Sequence, residues 1–259
     1  MESKKFDGLL LLSDIDGTFI RDDGGAVEAN LEAVRYFEEN GGRFGISSGR
    51  VFWSVEQAIP GWHELVNAPC ILCNGACVFD AKTRTILYES LLDPQVMLPL
   101  LRDMKAAFPE LRIRYTCPTE LVFIEPDKPL SSYPMAKWFK VVVEGKSERL
   151  AELYDEVYKR MGDGLAYSKS CDYFLEFLNP MATKGTMLEW IRAHMPEVRK
   201  IYAVGDYDND LDMLRRADVP VCPSNGLASV VELCREKGIV AADNNTGTIA
   251  DLIGRLESD

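Results

Sequence analysis

No stretch of this 259-residue sequence approaches the roughly 20 consecutive apolar residues that a bilayer-crossing helix requires. A secretory leader is not expected either. Residues 1–6 carry charges, and the apolar run at 9–12 is much shorter than the roughly 7 to 15 residues of a leader's apolar region. Positive charge is in short supply, with 29 Lys+Arg against 41 Asp+Glu, and the net charge of -12 repels nucleic-acid backbones and anionic lipid at long range. Neither nucleic acid nor membrane is expected as a partner. Histidine occurs twice, as His63 and His194, far apart and without ligand-type neighbours, so neither is assigned a role. The seven cysteines are an odd number without a leader, which predicts reduced thiols in the cytoplasm and no disulfide framework. Internal repeats and low-complexity segments are also lacking.

What is present suits a folded chain of two modules. Hydrophobic residues make up 47% and charged residues 27%, ordinary globular usage, and the length allows one substantial core plus a smaller second unit. Short apolar runs at 9–13, 43–46 and 70–72 read as strands, separated by helical spacing at 31–37 and 51–59. Gly41-Gly42 supplies a helix stop, and Asn74-Gly75 a turn whose glycine takes positive φ. The alternation resumes with a helix at 185–195, a strand at 200–204, a helix from 211 to 216, and strands at 219–222 and 238–241. Strands separated by helices predict a doubly wound, mainly parallel α/β sheet with its ligand beyond the carboxyl ends of the strands. Residues 83–183 have a different texture, with hairpin-like strands at 121–125, 140–144 and 173–178 and a helix over 147–161. They read as an inserted α+β module, leaving 1–82 and 184–259 as the core.

Four separated fragments carry the candidate chemistry: Asp14-Ile15-Asp16-Gly17-Thr18, Ser47-Ser48-Gly49-Arg50, Lys184-Gly185 and Gly205-Asp206-Tyr207-Asp208-Asn209-Asp210. In an extended segment Asp14 and Asp16 can present their carboxylates to one space, with Ile15 turned into protein. One carboxylate can attack phosphorus and form an acyl phosphate while the other manages a proton. Gly17 allows close backbone approach to a phosphate, and Thr18 offers a hydroxyl or a cap. A surface turn with helix-capping acids would use the same residues.

Two acids and a phosphate dianion repel one another by several kcal/mol at about 4 Å and intermediate dielectric, so the site demands a cation. Oxygen donors without clustered histidine select Mg²⁺. The expected ligands are Asp14, Asp206 and Asp16, the last through its main-chain carbonyl, with Asn209 and Asp210 orienting metal-bound water. The acidic loop at 205–210 could equally cap the helix that follows it, and it lacks the glycine and terminal glutamate of a calcium loop. Ser48 would bind phosphoryl oxygens, and Lys184 would neutralise both nucleophile and phosphate.

In content and order these fragments resemble the haloacid dehalogenase superfamily, specifically its Cof-type sugar-phosphatase-like branch, over nearly the whole chain. The resemblance implies that Asp14 is the nucleophile, Asp16 the general acid/base and Lys184 a catalytic cation. It also implies that Ser48 binds phosphate, with Gly49 and Arg50 beside it, and that Asp206 binds Mg²⁺ with Asn209 and Asp210 supporting the site. Asn74-Gly75-Ala76 matches a segment that borders the substrate cleft in relatives. The insertion matches the family's α/β cap, and Ser48 stands where threonine is commoner. The function so implied is a Mg²⁺-dependent phosphatase for a small phosphate monoester, a sugar or related organic phosphate, acting through an aspartyl phosphate. A phosphomutase using the same intermediate and a non-catalytic phospho-ligand sensor are the alternatives. Cys70, Cys73 and Cys77 are expected to be small core residues, and Arg114, Tyr115, Lys140, Lys169, Asp172 and Tyr173 are polar or aromatic groups that could face a substrate.

Overall fold

A computed structural model describes residues 4–158 and 164–258, which form two compact units, Met1–Tyr88 with Thr183–Asp259 and the inserted Glu89–Ala182. The first unit begins with β1 (Leu9–Ser13), α1 (Glu28–Glu39), β2 (Arg43–Ile46), α2 (Phe52–Ala58) and α3 (Trp62–Leu65). It continues with β3 (Cys70–Leu72), β4 (Cys77–Asp80) and β5 (Thr85–Glu89). The inserted unit contains α4 (Pro94–Ala107), β6 (Arg112–Thr116), β7 (Leu121–Ile124), β8 (Lys140–Glu144), α5 (Ser147–Tyr158), β9 (Ala166–Cys171) and β10 (Phe174–Leu178). The chain then returns through α6 (Lys184–His194), β11 (Lys200–Val204), α7 (Leu211–Arg216), β12 (Val219–Pro223), α8 (Ala228–Lys237), β13 (Ile239–Ala241) and α9 (Thr248–Ser258). No helix among the described residues is long and apolar enough to cross a membrane.

The main sheet has the order β13-β12-β11-β1-β2, with every neighbouring pair parallel. Side chains alternate across a strand, so Leu10 and Leu12 of β1 face one side. There they join Ile201 and Ala203 of β11, Met187, Leu188 and Ile191 of α6, and Val230 and Cys234 of α8 in one buried cluster. On α1, buried Val34 and Phe37 form the helical stripe seen in the sequence. The helix ends as that stripe leads one to expect: Gly41 takes φ +95, its N–H donates to the Glu38 carbonyl, and the Gly42 N–H reaches back to Phe37. From β1 the chain winds one way to β2, and from β11 the other way through β12 to β13. The reversal between β1 and β11 is the point where ligands settle in such sheets.

Cys70–Leu72 departs from the sequence expectation of a third strand in this sheet. It pairs antiparallel with β4 in a separate three-stranded sheet, β3-β4-β5, and meets the end of β2 through a parallel bridge between Ser47 and Ile71 and an Ile46 N–H that donates to Cys70 Sγ at 3.4 Å. The physical reason is the turn at 73–75, where Cys73 and Asn74 as well as Gly75 adopt positive φ and fold the chain straight back. Because β5 completes that sheet, the seam between the units falls after Tyr88, six residues beyond the position read from composition.

In the inserted unit an antiparallel sheet, β7-β6-β8-β10-β9, packs one face on α4 and α5. Ile113, Tyr115, Val141, Val143, Leu175 and Phe177 line that face. Tyr115 lies inside it, stacked on Trp138 at 4.5 Å between ring centres, and so is a packing residue. The alternate positions carry the ion pairs Arg114–Glu144 and Lys140–Glu176. The part of the expected helix at 159–161 lies outside the described residues.

No disulfide joins cysteines among the described residues, and burial pushes the Cys70 thiol up to about 12. Burial also raises the Glu38 carboxyl to about 7, against the pull of Lys82 and Arg43, and its Oε1 has no hydrogen-bonding partner among the described residues. A carboxyl raised on folding favours the native state while protonated, and that contribution is lost as pH rises from the unfolded value through about 7. Glu38→Gln should therefore raise the melting temperature at pH 8 and leave it nearly unchanged at pH 4, as read by thermal denaturation at the two pH values.

Candidate active site

The alternation of β1 extends one residue past the strand, because the Asp14 N–H donates to the Val204 carbonyl at 2.9 Å and keeps the ladder going. Asp14 thus follows Leu10 and Leu12 onto the side where α6 packs. Lys184 is the first residue of α6 and only 1% exposed. Its Nζ donates to Asp210 Oδ1 at 2.6 Å and lies 3.0 Å from Asp14 Oδ1. The start of α6 is fixed by Thr183, whose Oγ1 accepts from the Thr186 N–H at 2.9 Å while Thr186 Oγ1 accepts from the Thr183 N–H at 3.1 Å. Thr183 Oγ1 also donates to Asp212 Oδ2 on α7 at 2.6 Å, and a Cβ at Gly185 would collide with that carboxylate. Glycine there lets the two helices close up, which brings the lysine to the aspartates.

Asp206 follows β11, across the reversal from Asp14. Its Oδ1 accepts from Thr18 Oγ1 at 2.7 Å. Gly17, at φ +73, has no room for a Cβ because the Asp206 carboxylate occupies that space. Gly17 and Thr18 therefore seat an acid here, a role beyond the phosphate approach and capping suggested by their types. Asp210, fully buried, gives Oδ1 to Lys184, while Oδ2 accepts from the N–H groups of Asp206 at 3.1 Å and Tyr207 at 3.3 Å. Its oxygens are committed to holding the loop and the lysine.

Among the described residues, the acids whose carboxylate oxygens gather within 4.8 Å of one another are Asp14, Asp206 and Asp210. Burial, joined by the nearness of Asp210, Asp206 and Asp16, pushes Asp14 well above the usual carboxylate range despite Lys184. Burial and then Asp210 raise Asp206 to about 7, against the Thr18 hydrogen bond and Lys184. Burial alone would lower the Lys184 pKa, but Asp14 and Asp210 outweigh it and hold the ammonium above its ordinary value. One lysine does not neutralise three acids. Asn209 Oδ1 is also buried without a partner among the described residues. A cluster of desolvated carboxylates with an unsatisfied amide oxygen nearby fits a hard divalent cation such as Mg²⁺.

Asp16 takes a different place from Asp14. Its carboxylate is about half exposed and gripped by both prongs of Arg50, Nε to Oδ2 at 2.8 Å and Nη2 to Oδ1 at 2.6 Å. It is not one of the three clustered carboxylates, so any part it has in holding a cation falls to its main-chain carbonyl. Ser48 is fully buried, its Oγ accepting from the Arg50 N–H at 3.2 Å and its carbonyl from the Asn74 N–H at 3.0 Å. Asn74 Oδ1 accepts from Asn209 Nδ2 at 3.1 Å, which links the turn at 73–75 to the acidic loop, and a Cβ on Gly49 would meet that same oxygen at 3.2 Å. Gly75, at φ +100, abuts the Thr183 backbone so closely that a Cβ cannot fit. Its role here is to dock the turn on the start of α6. The bidentate Arg50–Asp16 pair and the Thr183–Asp212 bond were not legible from local sequence, since each joins residues about 30 positions apart.

The sequence matches the family model of haloacid dehalogenase-like hydrolases over residues 11–253. In fold it is similar to a haloacid dehalogenase-like hydrolase from Bacteroides thetaiotaomicron, with TM-score 0.81, 21% identity, and 95% of this chain and 98% of that chain covered. A Thermotoga maritima protein aligns with TM-score 0.77 and 21% identity over 96% and 97% of the two chains. The subclass IIB sugar phosphatase BT4131 aligns with TM-score 0.75 and 16% identity over 96% and 98%. At these identities the structural likenesses speak for the fold.

Removing the lysine should expose the charge imbalance. Lys184→Met leaves buried acids without their cation, a change that costs about 3–5 kcal/mol for a broken buried pair. In urea unfolding with chelator present, the loss should be large at pH 8. It should shrink at pH 5, where Asp206 and Asp14, raised by burial, take up protons.

Proposed function

The chain belongs to the haloacid dehalogenase-like hydrolase family, and from that premise we propose that it hydrolyses a small phosphate monoester, a sugar phosphate or related organic phosphate, with Asp14 as nucleophile. The observation that carries this reading is the buried Lys184 ammonium 3.0 Å from Asp14 at the reversal of a parallel sheet, with the Asp206 carboxylate beside them. A structural ion pair needs no third acid and no cation-deficient pocket. A phosphoryl-transfer site needs both.

In this reading the Asp14 carboxylate attacks phosphorus, the bond from phosphorus to the ester oxygen breaks, and an acyl phosphate forms on Asp14. Asp16 gives a proton to the departing alkoxide and afterwards takes one from the water that opens the acyl phosphate, returning Asp14 to its starting form. For the donating step one prong of the contact with Arg50 gives way, because the oxygen that carries the proton turns donor toward the departing alkoxide while the other still accepts. Ser48 and Arg50 face the phosphoryl oxygens, and Lys184 holds the nucleophile in place. Asp14, Asp206 and the Asp16 carbonyl would hold Mg²⁺, with Asn209 and Asp210 behind them. The ion supplies positive charge that offsets the phosphate dianion when bound. Support for a sugar substrate comes from the fold shared with a sugar phosphatase. We also assign the inserted unit the role of specificity cap and the chain a cytoplasmic location, on the family resemblance and the cysteine usage respectively.

The test is a panel of sugar, polyol and nucleotide phosphates with Mg²⁺, read by release of inorganic phosphate. The wild-type chain should turn over at least one member, and Asp14→Asn should lose activity by orders of magnitude while its circular dichroism spectrum stays native. Undiminished activity in Asp14→Asn would refute the nucleophile. An isomerised sugar phosphate in place of free phosphate would assign the chain to phosphomutase chemistry.

A further inference from the structure

The structure holds a second connection around Asp206, carried across by two asparagine amides. Asn244 sits in the loop between β13 and α9 and is fully buried. Its Nδ2 donates to the Ile20 carbonyl at 2.9 Å and to Asp22 Oδ1 at 3.0 Å, in the segment that follows Asp16-Gly17-Thr18. Its Oδ1 accepts from Asn225 Nδ2 at 2.6 Å, and its own N–H donates to Asn225 Oδ1 at 3.3 Å. Asn225 lies in the loop after β12, two residues before Leu227, whose N–H donates to the Asp206 carbonyl at 2.8 Å.

These contacts close a ring. From Asp206 it runs through Leu227 to Asn225, across to Asn244, on to Ile20, and back along the chain to Thr18, whose hydroxyl reaches Asp206 Oδ1 at 2.7 Å. Thr18 grips one carboxylate oxygen, and Asp210 braces the Asp206 and Tyr207 N–H groups from within the loop itself. The asparagine path fixes the main chain behind that carboxylate relative to the segment that carries Thr18. An amide offers a donor to one side and an acceptor to the other in a single planar group.

We propose that Asn244, acting through Asn225, is a positioning residue that sets the separation between the Asp206 loop and the segment following Asp16, and thereby the fit of the cation site. This deepens the cation reading above and rests on it. Partners behind metal ligands commonly change affinity by about 10–100-fold when removed, and the lower end suits a residue this far from the carboxylates.

The experiment measures Mn²⁺ binding to the full-length, metal-stripped chain by electron paramagnetic resonance and Mg²⁺ binding by calorimetry, with melting temperature recorded for every variant. Wild type should bind. Asn244→Ala should weaken binding by about tenfold. Asn225→Ala cuts the same path at an exposed residue, so it should fold and show a similar shift. The double variant should be no worse than either single one, because both break one path. Asn67→Ala serves as control. That amide accepts from Phe44 N–H and donates to the Gly42 carbonyl near the start of β2, at the end of the strand away from Ser47, so its loss should lower the melting temperature and leave affinity unchanged. Affinity retained in both Asn244→Ala and Asn225→Ala, with only melting affected, overturns the proposal and makes Asn244 a fold clasp. Failure of wild type to bind either ion overturns the cation reading itself, a result distinguishable because it precedes any substitution.

Discussion

A lysine ammonium with essentially no access to water lies between two aspartates, and the rest of the first unit is arranged to make that tolerable. An isolated buried charge costs several kcal/mol, and a lysine normally answers by losing its proton. Here Asp14 and Asp210 reverse the tendency, yet their own burial, with Asp206 added, leaves an excess of acid. The site is therefore satisfied only in part by its own residues. An arrangement of this kind is poor as a means of stabilising a fold and well suited to receiving a cation together with an anionic group.

The close approaches around it follow from the same demand. Glycines at 17, 75 and 185 stand where a methyl group would strike Asp206, the Thr183 backbone or Asp212. Each lets another segment pack directly against the main chain, and each meeting brings one candidate side chain to the others. Gly17 admits Asp206 beside the strand end carrying Asp14, and Gly185 seats the helix that carries Lys184. Gly75 props the Asn74 turn against that helix. The site is assembled by carboxylates and backbone packed directly against bare glycine main chain, which suits groups that must hold fixed positions.

Much of this was readable in the sequence because the relevant signals are local. Strand ends marked by Asp14, Ser47 and Gly205, the helix begun by Lys184 and the stop at Gly41-Gly42 depend on short-range pattern, and each element stands within a residue or two of its expected position. Cys70–Leu72 went to another sheet because apolar content does not distinguish a parallel neighbour from an antiparallel one; Asn74-Gly75 announces a turn, but the left-handed backbone at Cys73 that completes the reversal has no residue signature. The grip of Arg50 on Asp16, the commitment of Asp210 to Lys184, and the asparagine path through Asn244 are long-range hydrogen bonds. Residue type announces the capacity for such bonds and leaves the partner open.

The order of the central sheet has a consequence for how the protein is made. β1, which carries Asp14 at its end, pairs with β11 at residues 200–204 on one side and with β2 on the other. During synthesis at roughly 5–20 residues per second, Leu9–Ser13 emerges early and then waits while the whole inserted unit is translated before its inner neighbour exists. A hydrophobic strand edge left open over that interval is open to mispairing. The nascent chain on the ribosome thus passes through a stage in which Asp14 has been made and the pocket that restrains it has not.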